Sequence, residues 1–404
     1  MIDFKNIVEN FKINESFSKA KAFGSGHIND TFLVKTFGKN QRRDGGTESK
    51  KYILQRKNGN IFKNIPGLIK NMEVATEHIR KKLRQQQDAY PNRGVLTMIP
   101  CNDGEYYYLD NENNYWCLYD FIENCKSYNI ADTFQKAIYC GEAYGEFISQ
   151  LSDLDTDLCI ETIPEFHSIN MRLNKFHKAV NEDIAGRIND IPNEIQFVYE
   201  REEEMKKVLK FEKQGIPKRI IHNDTKLNNV LFDENDNILC VVDLDTVMPG
   251  LVLYDFGDAI RTISNPVAED EKDVSKVIFN IELYEAFAKG FLGKTINILT
   301  KEEIENLAFS AKLMTFIIGL RFLTDYIEGD VYYKIAHPNH NLERAKVQFK
   351  LLSSMEENFD KMQQIITELK DTGNLKGKTE RWSDGVMESN PNMELEIRKE
   401  RLSD

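Results

Sequence analysis

The first 120 or so residues alternate between short apolar segments and polar turns. Segments 17–23 and 28–37 flank the sequence GSGH at 24–27, which predicts a β-hairpin with glycines in its turn. Three further strands are predicted, at 51–56, 106–109 and 115–122.

One helix interrupts this strand-rich region. Pro66 suits the first turn of a helix, because its missing N–H would have no partner there in any case. Apolar residues then recur at helical spacing as far as Arg84. They are Leu68, Ile69, Met72, Ala75, Ile79 and Leu83.

The pattern changes after Ile122, where apolar residues recur every three or four positions and predict helices. One β segment interrupts them at 219–243. Its two apolar stretches, 230–232 and 238–242, face each other across a polar turn and predict a second hairpin. Helices are expected at 132–151, 172–188, 194–213, 272–291, 301–326 and 342–369.

These patterns predict an α+β fold with two lobes. Residues 1–121 form a β-rich N-terminal lobe with one helix, residues 122–126 a hinge, and residues 127–370 a larger helical lobe that carries the second hairpin. The segment 39–46 is a polar insertion, and the tail at 371–404 has no sustained apolar period. We assign neither a function.

Composition narrows the possible partners. The chain has 404 residues, of which 41% are hydrophobic, so it can bury a sizeable core. Its 53 basic and 65 acidic residues give a net charge of −12. A surface of that sign repels phosphate backbones and anionic membranes, so we expect neither nucleic acid nor membrane as a partner.

The cysteines and the apolar segments indicate a soluble cytoplasmic protein. None of the six cysteines forms a C-x-x-C pair or lies near a histidine at zinc-ligand spacing, which is typical of free thiols in a reducing compartment. The N-terminal residues contain no apolar stretch of the secretory type. The longest apolar run, at 313–323, is bounded or interrupted by Lys312 and Arg321 and is too short to cross a bilayer.

The strongest chemical signal lies in the second hairpin. Its strand ends bring Asp224, Asn229 and Asp243 to one edge, in the H-x-D-x-x-x-x-N plus aspartate arrangement used for phosphoryl transfer. Asn229 and Asp243 supply the hard oxygen ligands that Mg²⁺ prefers. Asp224 is expected to orient the attacking hydroxyl and accept its proton, and Lys226 to reach the transferred phosphate. His222 is expected to be a hydrogen-bonded structural residue.

A second aspartate competes for the metal-binding role. Residues 255–257 spell the Asp-Phe-Gly triplet that binds metal in protein kinases, but they follow Pro249 and lie beyond the hairpin. Asp255 is therefore expected to hydrogen-bond to backbone near the site, and Asp243 to bind the metal.

These residues resemble the aminoglycoside phosphotransferase and choline kinase superfamily, and more narrowly the N-acetylhexosamine 1-kinases. The resemblance rests on the hairpin together with VDLDTVMPG at 242–250 and YDFGDA at 254–259. Supporting stretches lie at 24–32, 53–56, 163–167 and 319–330. The hairpin block marks the superfamily, and the other stretches narrow it.

The resemblance implies a protein-kinase-like bilobal fold that transfers phosphate from ATP, with Mg²⁺, to the anomeric hydroxyl of GlcNAc or GalNAc. It assigns Asp224 and Lys226 to catalysis and Asn229 and Asp243 to the metal. The implied sugar-pocket residues are Thr246, Arg321 and Tyr332, and Asp245 is implied to assist the sugar or the metal. The implied nucleotide contacts are Gly24, Gly26, His27, Gln55, Phe121 and Glu123, with Gln55 in the slot where protein kinases carry a lysine.

Several alternatives stay open at this point. The acceptor of a kinase with this fold is also compatible with choline, homoserine, methylthioribose or an aminoglycoside, and a pseudokinase that only binds nucleotide is a further reading. Arg321 pairs equally well with Asp325, four residues on in the same helix. The chain is expected to act as a monomer or a small homo-oligomer.

Overall fold

A computed structural model describes residues 2–24, 28–38, 50–86 and 92–371. Gly26, His27, the predicted insertion at 39–46 and residues 372–404 of the predicted tail lie outside the described residues.

A six-stranded antiparallel sheet forms the N-terminal lobe, in the order β1-β2-β3-β6-β4 with β5 paired to β6. The predicted strands are all present, and β4 was not predicted because two residues give no readable alternation. The strands are β1 Ser16–Ala22, β2 Asp30–Phe37, β3 Lys50–Arg56, β4 Met98–Ile99, β5 Tyr108–Leu109 and β6 Tyr115–Asp120.

Two helices cover opposite faces of this sheet. The predicted helix is α2, Ile65–Gln85, and the Asn64 side chain caps it by accepting the Gly67 N–H. Successive residues of β6 point to opposite faces. Trp116 and Leu118 pack with the short helix α1, Phe4–Glu9, whereas Cys117 and Tyr119 belong to the cluster that contains α2 and the core of the C-terminal lobe. One hydrophobic core therefore runs through both lobes.

The C-terminal lobe is mainly helical, as predicted, but several boundaries differ. The predicted helix at 272–291 starts too early, because the Asn280 side chain accepts the N–H groups of Glu282 and Leu283 and begins the helix there. Three predicted long helices are each divided in two. The helices are α3 Phe134–Gln150, α4 Ile169–Glu182, α5 Pro192–Met205, α6 Val208–Lys213, α7 Val252–Ile263, α8 Ile281–Thr295, α9 Lys301–Glu305, α10 Leu307–Ile327, α11 His340–Glu357 and α12 Phe359–Asp371.

Helix α10 is the most apolar of these elements. Its 21 residues are long and apolar enough to cross a membrane, but 94% of the apolar window is buried inside the protein. It contacts α4, α7 and α11. Helix α10 is therefore the central helix of the C-terminal core.

The predicted second hairpin is confirmed. Strands β8, Val230–Phe232, and β9, Ile238–Val241, pair antiparallel. Strand β7, Arg219–Ile221, precedes the hairpin and pairs with β10, Met248–Gly250, which was not predicted. The residues between β7 and β8, and those just after β9, therefore meet at one end of two short β ribbons.

Helix α7 is held unusually close to α10 at Gly257. A Cβ atom at this position would lie 2.2 Å from the Ser310 carbonyl oxygen, which real Cβ atoms do not tolerate. The absence of a side chain at Gly257 therefore sets the position of α7 and of the acidic residues that it carries.

Replacing Gly257 by alanine is expected to destabilise the protein by roughly 1–3 kcal/mol, the usual cost of overpacking a core. Urea unfolding measures the change. Gly293→Ala is the matched control, because that glycine lies in α8 with no atom within 4 Å of the position that a methyl group would take. Alanine there should stabilise the helix by about 0.5–1 kcal/mol. Equal unfolding free energies for the two variants would contradict the close-packing argument.

Candidate active site

The 222–229 loop, between β7 and β8, places Asp224 and Asn229 side by side. The Asn229 amide Nδ2 donates to the Asp224 carbonyl oxygen at 3.0 Å and lies 3.4 Å from its carboxylate Oδ2. Asn229 is buried, whereas the Asp224 side chain is 26% exposed. Asn229 is therefore fixed by Asp224, while the carboxylate of Asp224 stays accessible.

The end of the β8–β9 hairpin brings Asp243 to the same place. The Val242 N–H donates to the Asn229 carbonyl oxygen at 2.8 Å, which puts Asp243 next to that loop. Asp243 has φ +61° and ψ +54°, a left-handed conformation that is uncommon for a residue other than glycine. The structure thus gathers Asp224, Asn229 and Asp243 as the spacing predicted.

His222 ties the 222–229 loop to the hairpin. Its Nε2 lies 3.0 Å from the Val242 carbonyl oxygen, and its Nδ1 accepts the Asp224 backbone N–H at 3.2 Å. Because one ring nitrogen faces an acceptor and the other faces a donor, the proton lies on Nε2. The ring is fully buried. These contacts agree with the structural role expected for His222.

Lys226 and Asp224 form an ion pair, with Nζ 2.8 Å from Oδ1. Burial acts to raise the pKa of Asp224, but the charge of Lys226 and its hydrogen bond outweigh burial, so the net shift is downward. The pKa of Lys226 is raised, chiefly by Asp224. Asp224 is consequently ionised near neutral pH and able to accept a hydrogen bond or a proton.

Asp243 has the opposite electrostatic setting. Crowding by protein atoms raises its pKa, and the charges of Asp245 and Asp224 raise it further, whereas Lys57 and Lys226 act in the other direction. Solvent nevertheless reaches its side chain. A carboxylate surrounded by other carboxylates attracts a cation to the site.

The pair Asn229 and Asp243 suits a magnesium ion. The Asn229 nitrogen points to Asp224, so its Oδ1 is the atom left to act as a ligand. Mg²⁺ commonly takes one or two protein ligands and completes its shell with waters and phosphate oxygens. Within residues 2–24, 28–38, 50–86 and 92–371, no group of three or more His, Cys, Asp or Glu side chains is placed to hold a metal ion. The described residues therefore do not form a site in which such side chains alone hold the ion.

Asp255 anchors the 222–229 loop from below. Its carboxylate accepts the His222 N–H at 2.8 Å and the Asn223 N–H at 2.7 Å, and its carbonyl oxygen accepts the Thr225 hydroxyl at 2.6 Å. Burial raises its pKa to about 6. These contacts confirm the expectation that Asp255 hydrogen-bonds to backbone near the site.

A family model described as the phosphotransferase enzyme family (APH) matches residues 19–287, which is more than half of the chain. The matched region includes all of the sheet except the first residues of β1, as well as the 222–229 loop and the hairpin. This protein belongs to that family.

Solved structures with the same fold include other members of this phosphotransferase class. An aminoglycoside phosphotransferase from Alicyclobacillus acidocaldarius subsp. acidocaldarius DSM 446 has a TM-score of 0.55 at 8% identity, covering 91% of this chain and 97% of the other. A microcompartment-associated aminopropanol kinase has a TM-score of 0.51 at 13% identity, covering 89% of this chain and 97% of the other. The likeness confirms the predicted protein-kinase-like fold, whereas the family match confirms the predicted aminoglycoside phosphotransferase assignment.

In the C-terminal lobe, Arg321 lies among aromatic rings. Its guanidinium carbon is 5.2 Å from the ring centre of Phe166 and 5.9 Å from that of Tyr332. The alternative ion pair of Arg321 with Asp325 is not formed in the described part of the chain, because Asp325 accepts the N–H groups of three successive loop residues. They are Val331, Tyr332 and Tyr333.

The other two predicted sugar-pocket residues are engaged by the protein itself. The Thr246 hydroxyl donates to the His222 carbonyl oxygen at 2.6 Å. The Asp245 carboxylate forms an ion pair with Lys57 at 2.5 Å. Both residues are buried. Their contact with a sugar stays a prediction.

The predicted nucleotide contacts lie on the N-terminal lobe and the connector. Gly24 has φ +77°, with no atom within 4 Å of the position that a Cβ would take. Gln55 Nε2 lies 3.3 Å from the Thr31 hydroxyl. The Phe121 N–H donates to the Lys51 carbonyl oxygen, and the Glu123 carbonyl accepts from Arg93. Roles in nucleotide binding remain predictions for these residues.

Three residues near the site were missed by the sequence reasoning. Lys57 lies one residue beyond β3, two residues after Gln55, which occupies the position where protein kinases carry a lysine. Its side chain is fully buried. Arg172 and His167 lie close to Arg321. Burial lowers the pKa of both residues, and the charge of Arg321 lowers it further, to about 10 for Arg172. Their spacing in the sequence follows no motif that marks a site.

Replacing Asp255 by alanine is expected to destabilise the phosphotransferase by about 3 kcal/mol, since two buried N–H groups lose their acceptor at about 1–3 kcal/mol each. Thermal or urea unfolding measures this loss. Asp371→Ala, at the exposed end of α12, serves as the control and should be neutral within roughly 0.5 kcal/mol. A stable Asp255→Ala protein that had lost only its metal dependence would show that Asp255, rather than Asp243, is the metal ligand.

Proposed function

We propose that this phosphotransferase is an ATP-dependent kinase that phosphorylates the anomeric hydroxyl of an N-acetylhexosamine. The observation that carries the proposal is the juxtaposition of Asp224, Asn229 and Asp243 at the end of the β8–β9 hairpin. The narrower choice of acceptor rests on the sequence resemblance and on the charges around Arg321. The enzyme is proposed to act in the cytoplasm as a monomer or small homo-oligomer.

Asp224 is proposed to be the general base. The sugar hydroxyl oxygen attacks the γ-phosphorus in line with the leaving oxygen, its proton passes to the Asp224 carboxylate, and the bond to the β-phosphate oxygen breaks to release ADP. The ionised, accessible carboxylate that Lys226 maintains meets this requirement. Lys226 in turn supplies a positive charge beside the transferred group.

Asn229 and Asp243 are the residues that would hold magnesium. When bound, Mg²⁺ neutralises negative charge on the β- and γ-phosphates. The chain's own contribution is to keep Asn229 Oδ1 and the Asp243 carboxylate oriented, through the Asn229–Asp224 and Val242–Asn229 hydrogen bonds. Because these contacts already exist in the protein alone, little reorganisation is needed when nucleotide arrives.

The connector offers two backbone groups to the adenine base. In the described part of the chain, neither the Phe121 carbonyl oxygen nor the Glu123 N–H takes part in a hydrogen bond, whereas the Phe121 N–H and the Glu123 carbonyl are both occupied. One acceptor and one donor two residues apart complement the donor and acceptor edge of adenine. We therefore propose that these two groups bind the base.

The acceptor side carries positive charge that favours a neutral sugar over a cationic alcohol. Arg321 lies close enough to Arg172 to lower the pKa of Arg172, after the larger effect of burial, and within the described residues neither arginine forms an ion pair with a carboxylate. His167 beside them is neutral, because burial holds its pKa well below the usual value. A quaternary ammonium ion such as choline would be repelled here, whereas carbonyl and hydroxyl oxygens are suitable acceptors for the guanidinium N–H groups.

Replacing Asp224 by asparagine is expected to lower kcat by roughly 10²–10⁴-fold, the usual effect of losing a general base. Initial rates of ADP release measure kcat, and calorimetry measures ATP–Mg²⁺ binding, which should be nearly unchanged. A variant with near-normal turnover would eliminate Asp224 as the base.

Asp243→Ala provides the complementary comparison. This variant should fold normally and lose Mg²⁺-dependent turnover, because a ligand is removed without removing any hydrogen bond that anchors the 222–229 loop. The Asp255→Ala protein described above should instead lose stability, and its loss of turnover should follow from unfolding.

A panel of acceptors with ATP–Mg²⁺ tests the proposed substrate. GlcNAc or GalNAc should give a kcat/KM at least about 100-fold above that of choline or an aminoglycoside, since a site built around hydrogen bonds discriminates strongly against ligands that cannot make them. Each ADP released should be matched by the loss of one reducing end, because phosphate at the anomeric oxygen blocks ring opening. ADP release with the reducing ends intact would exclude the anomeric position.

A further inference from the structure

Lys57 joins the two lobes through a fully buried ion pair. Its Nζ lies 2.5 Å from the Asp245 Oδ1 and 2.8 Å from the Gln55 Oε1, and 5.4 Å from the ring centre of Tyr119. Its side chain has no solvent exposure, and that of Asp245 has 6%. Lys57 follows β3 in the N-terminal lobe, whereas Asp245 follows the β8–β9 hairpin in the C-terminal lobe.

Asn29 occupies the second oxygen of the same carboxylate. Its Nδ2 donates to the Asp245 Oδ2, while its Oδ1 accepts the Asn58 N–H at 3.1 Å. Asn58 in turn donates from its side chain to the Ile28 carbonyl at 3.0 Å. Both oxygens of Asp245 are thus bonded to the N-terminal lobe, through a network that begins where β2 begins and β3 ends.

The usual lysine–glutamate pair of a protein kinase has no counterpart among these residues. Gln55 occupies the lysine slot on β3. On α2, Glu73 pairs with Lys70 at 2.7 Å, and Glu77 pairs with Arg80, both within the helix. The N-terminal lobe nevertheless supplies a buried cation, Lys57, whose charge acts on Asp243.

Asp245 would be a competitor for the metal if it were not occupied. It lies two residues beyond Asp243, and its charge already acts on Asp243. A free carboxylate two residues from Asp243 can draw a divalent ion away from the Asn229–Asp243 position. A lysine that binds Asp245 removes that competition and neutralises a buried negative charge, which would otherwise be costly.

We propose that Lys57 is a positioning residue that holds Asp245 against the N-terminal lobe and keeps its carboxylate out of the metal site. The inference rests on the proposed kinase function. It gives a lysine of the N-terminal lobe a role at the site, although Gln55 occupies the position on β3 where protein kinases carry a lysine. Lys57 acts through Asp245 and has no need to touch the nucleotide, which agrees with its complete burial.

The test compares Lys57→Met with the double variant Lys57→Met/Asp245→Asn. In the single variant, loss of one nearby positive charge and release of Asp245 should tighten Mn²⁺ binding in the presence of ADP by roughly tenfold. Electron paramagnetic resonance of free Mn²⁺ measures this. At the same time kcat should fall at least about tenfold, because the ion is displaced. The double variant should return Mn²⁺ affinity to within about threefold of wild type and recover part of kcat.

Lys50→Met is the matched control, because Lys50 pairs with Asp120 from the same sheet at 2.8 Å but is 43% exposed and joins no second lobe. Its Mn²⁺ affinity and kcat should be unchanged. Loss of thermal stability in Lys57→Met with unaltered or weaker Mn²⁺ binding would overturn the proposal and leave only a structural role. Asp243→Ala separates the two levels: if it leaves Mn²⁺ binding intact, the proposed metal site itself is wrong, whereas if it abolishes binding, a failure of the Lys57 variant refutes only this inference.

Discussion

A buried carboxylate at the start of α7 holds together the geometry of the candidate active site. Asp255 accepts two successive backbone N–H groups of the 222–229 loop, so the loop is fixed before Asp224 is reached. His222 then links the loop to the end of the β8–β9 hairpin through its hydrogen bond to the Val242 carbonyl oxygen. The left-handed backbone of Asn223 and Asp243 persists because both ends of this arrangement are tied down. Burial raises the pKa of Asp255, and the His222 and Asn223 N–H groups offset only part of this effect.

The two lobes are joined by apolar packing as well as by the buried ion pair. Helix α2 and one face of the sheet belong to the same hydrophobic cluster as the helices of the C-terminal lobe. Lys57, Asp245 and Asn29 lie close to this shared core and fix the relative register of β3 and the hairpin. Apolar burial provides most of the cohesion, whereas the polar contacts specify which position the lobes adopt.

Much of this could be predicted from the sequence because the signals are local. Alternation identified the main strands, helical spacing identified α2, and the fixed spacing of Asp224, Asn229 and Asp243 identified the site. Helix ends such as Asn280 were missed, since capping depends on side-chain geometry that periodicity does not report. Lys57 was missed for a different reason: its partner lies 188 residues away, and only the fold brings Asp245 to it. The same holds for Arg172, whose nearness to Arg321 is a property of helix packing.

Under the proposed function, Asp325 would influence which acceptor binds. By accepting the N–H groups of Val331, Tyr332 and Tyr333, its carboxylate fixes the conformation of the 331–333 segment beside Arg321 before any small molecule binds. Asn341 adds a further bond to the same carboxylate at 2.8 Å. A segment that is already ordered loses little conformational entropy on binding, so an acceptor at the proposed site would meet a preformed surface rather than a loop that must fold around it.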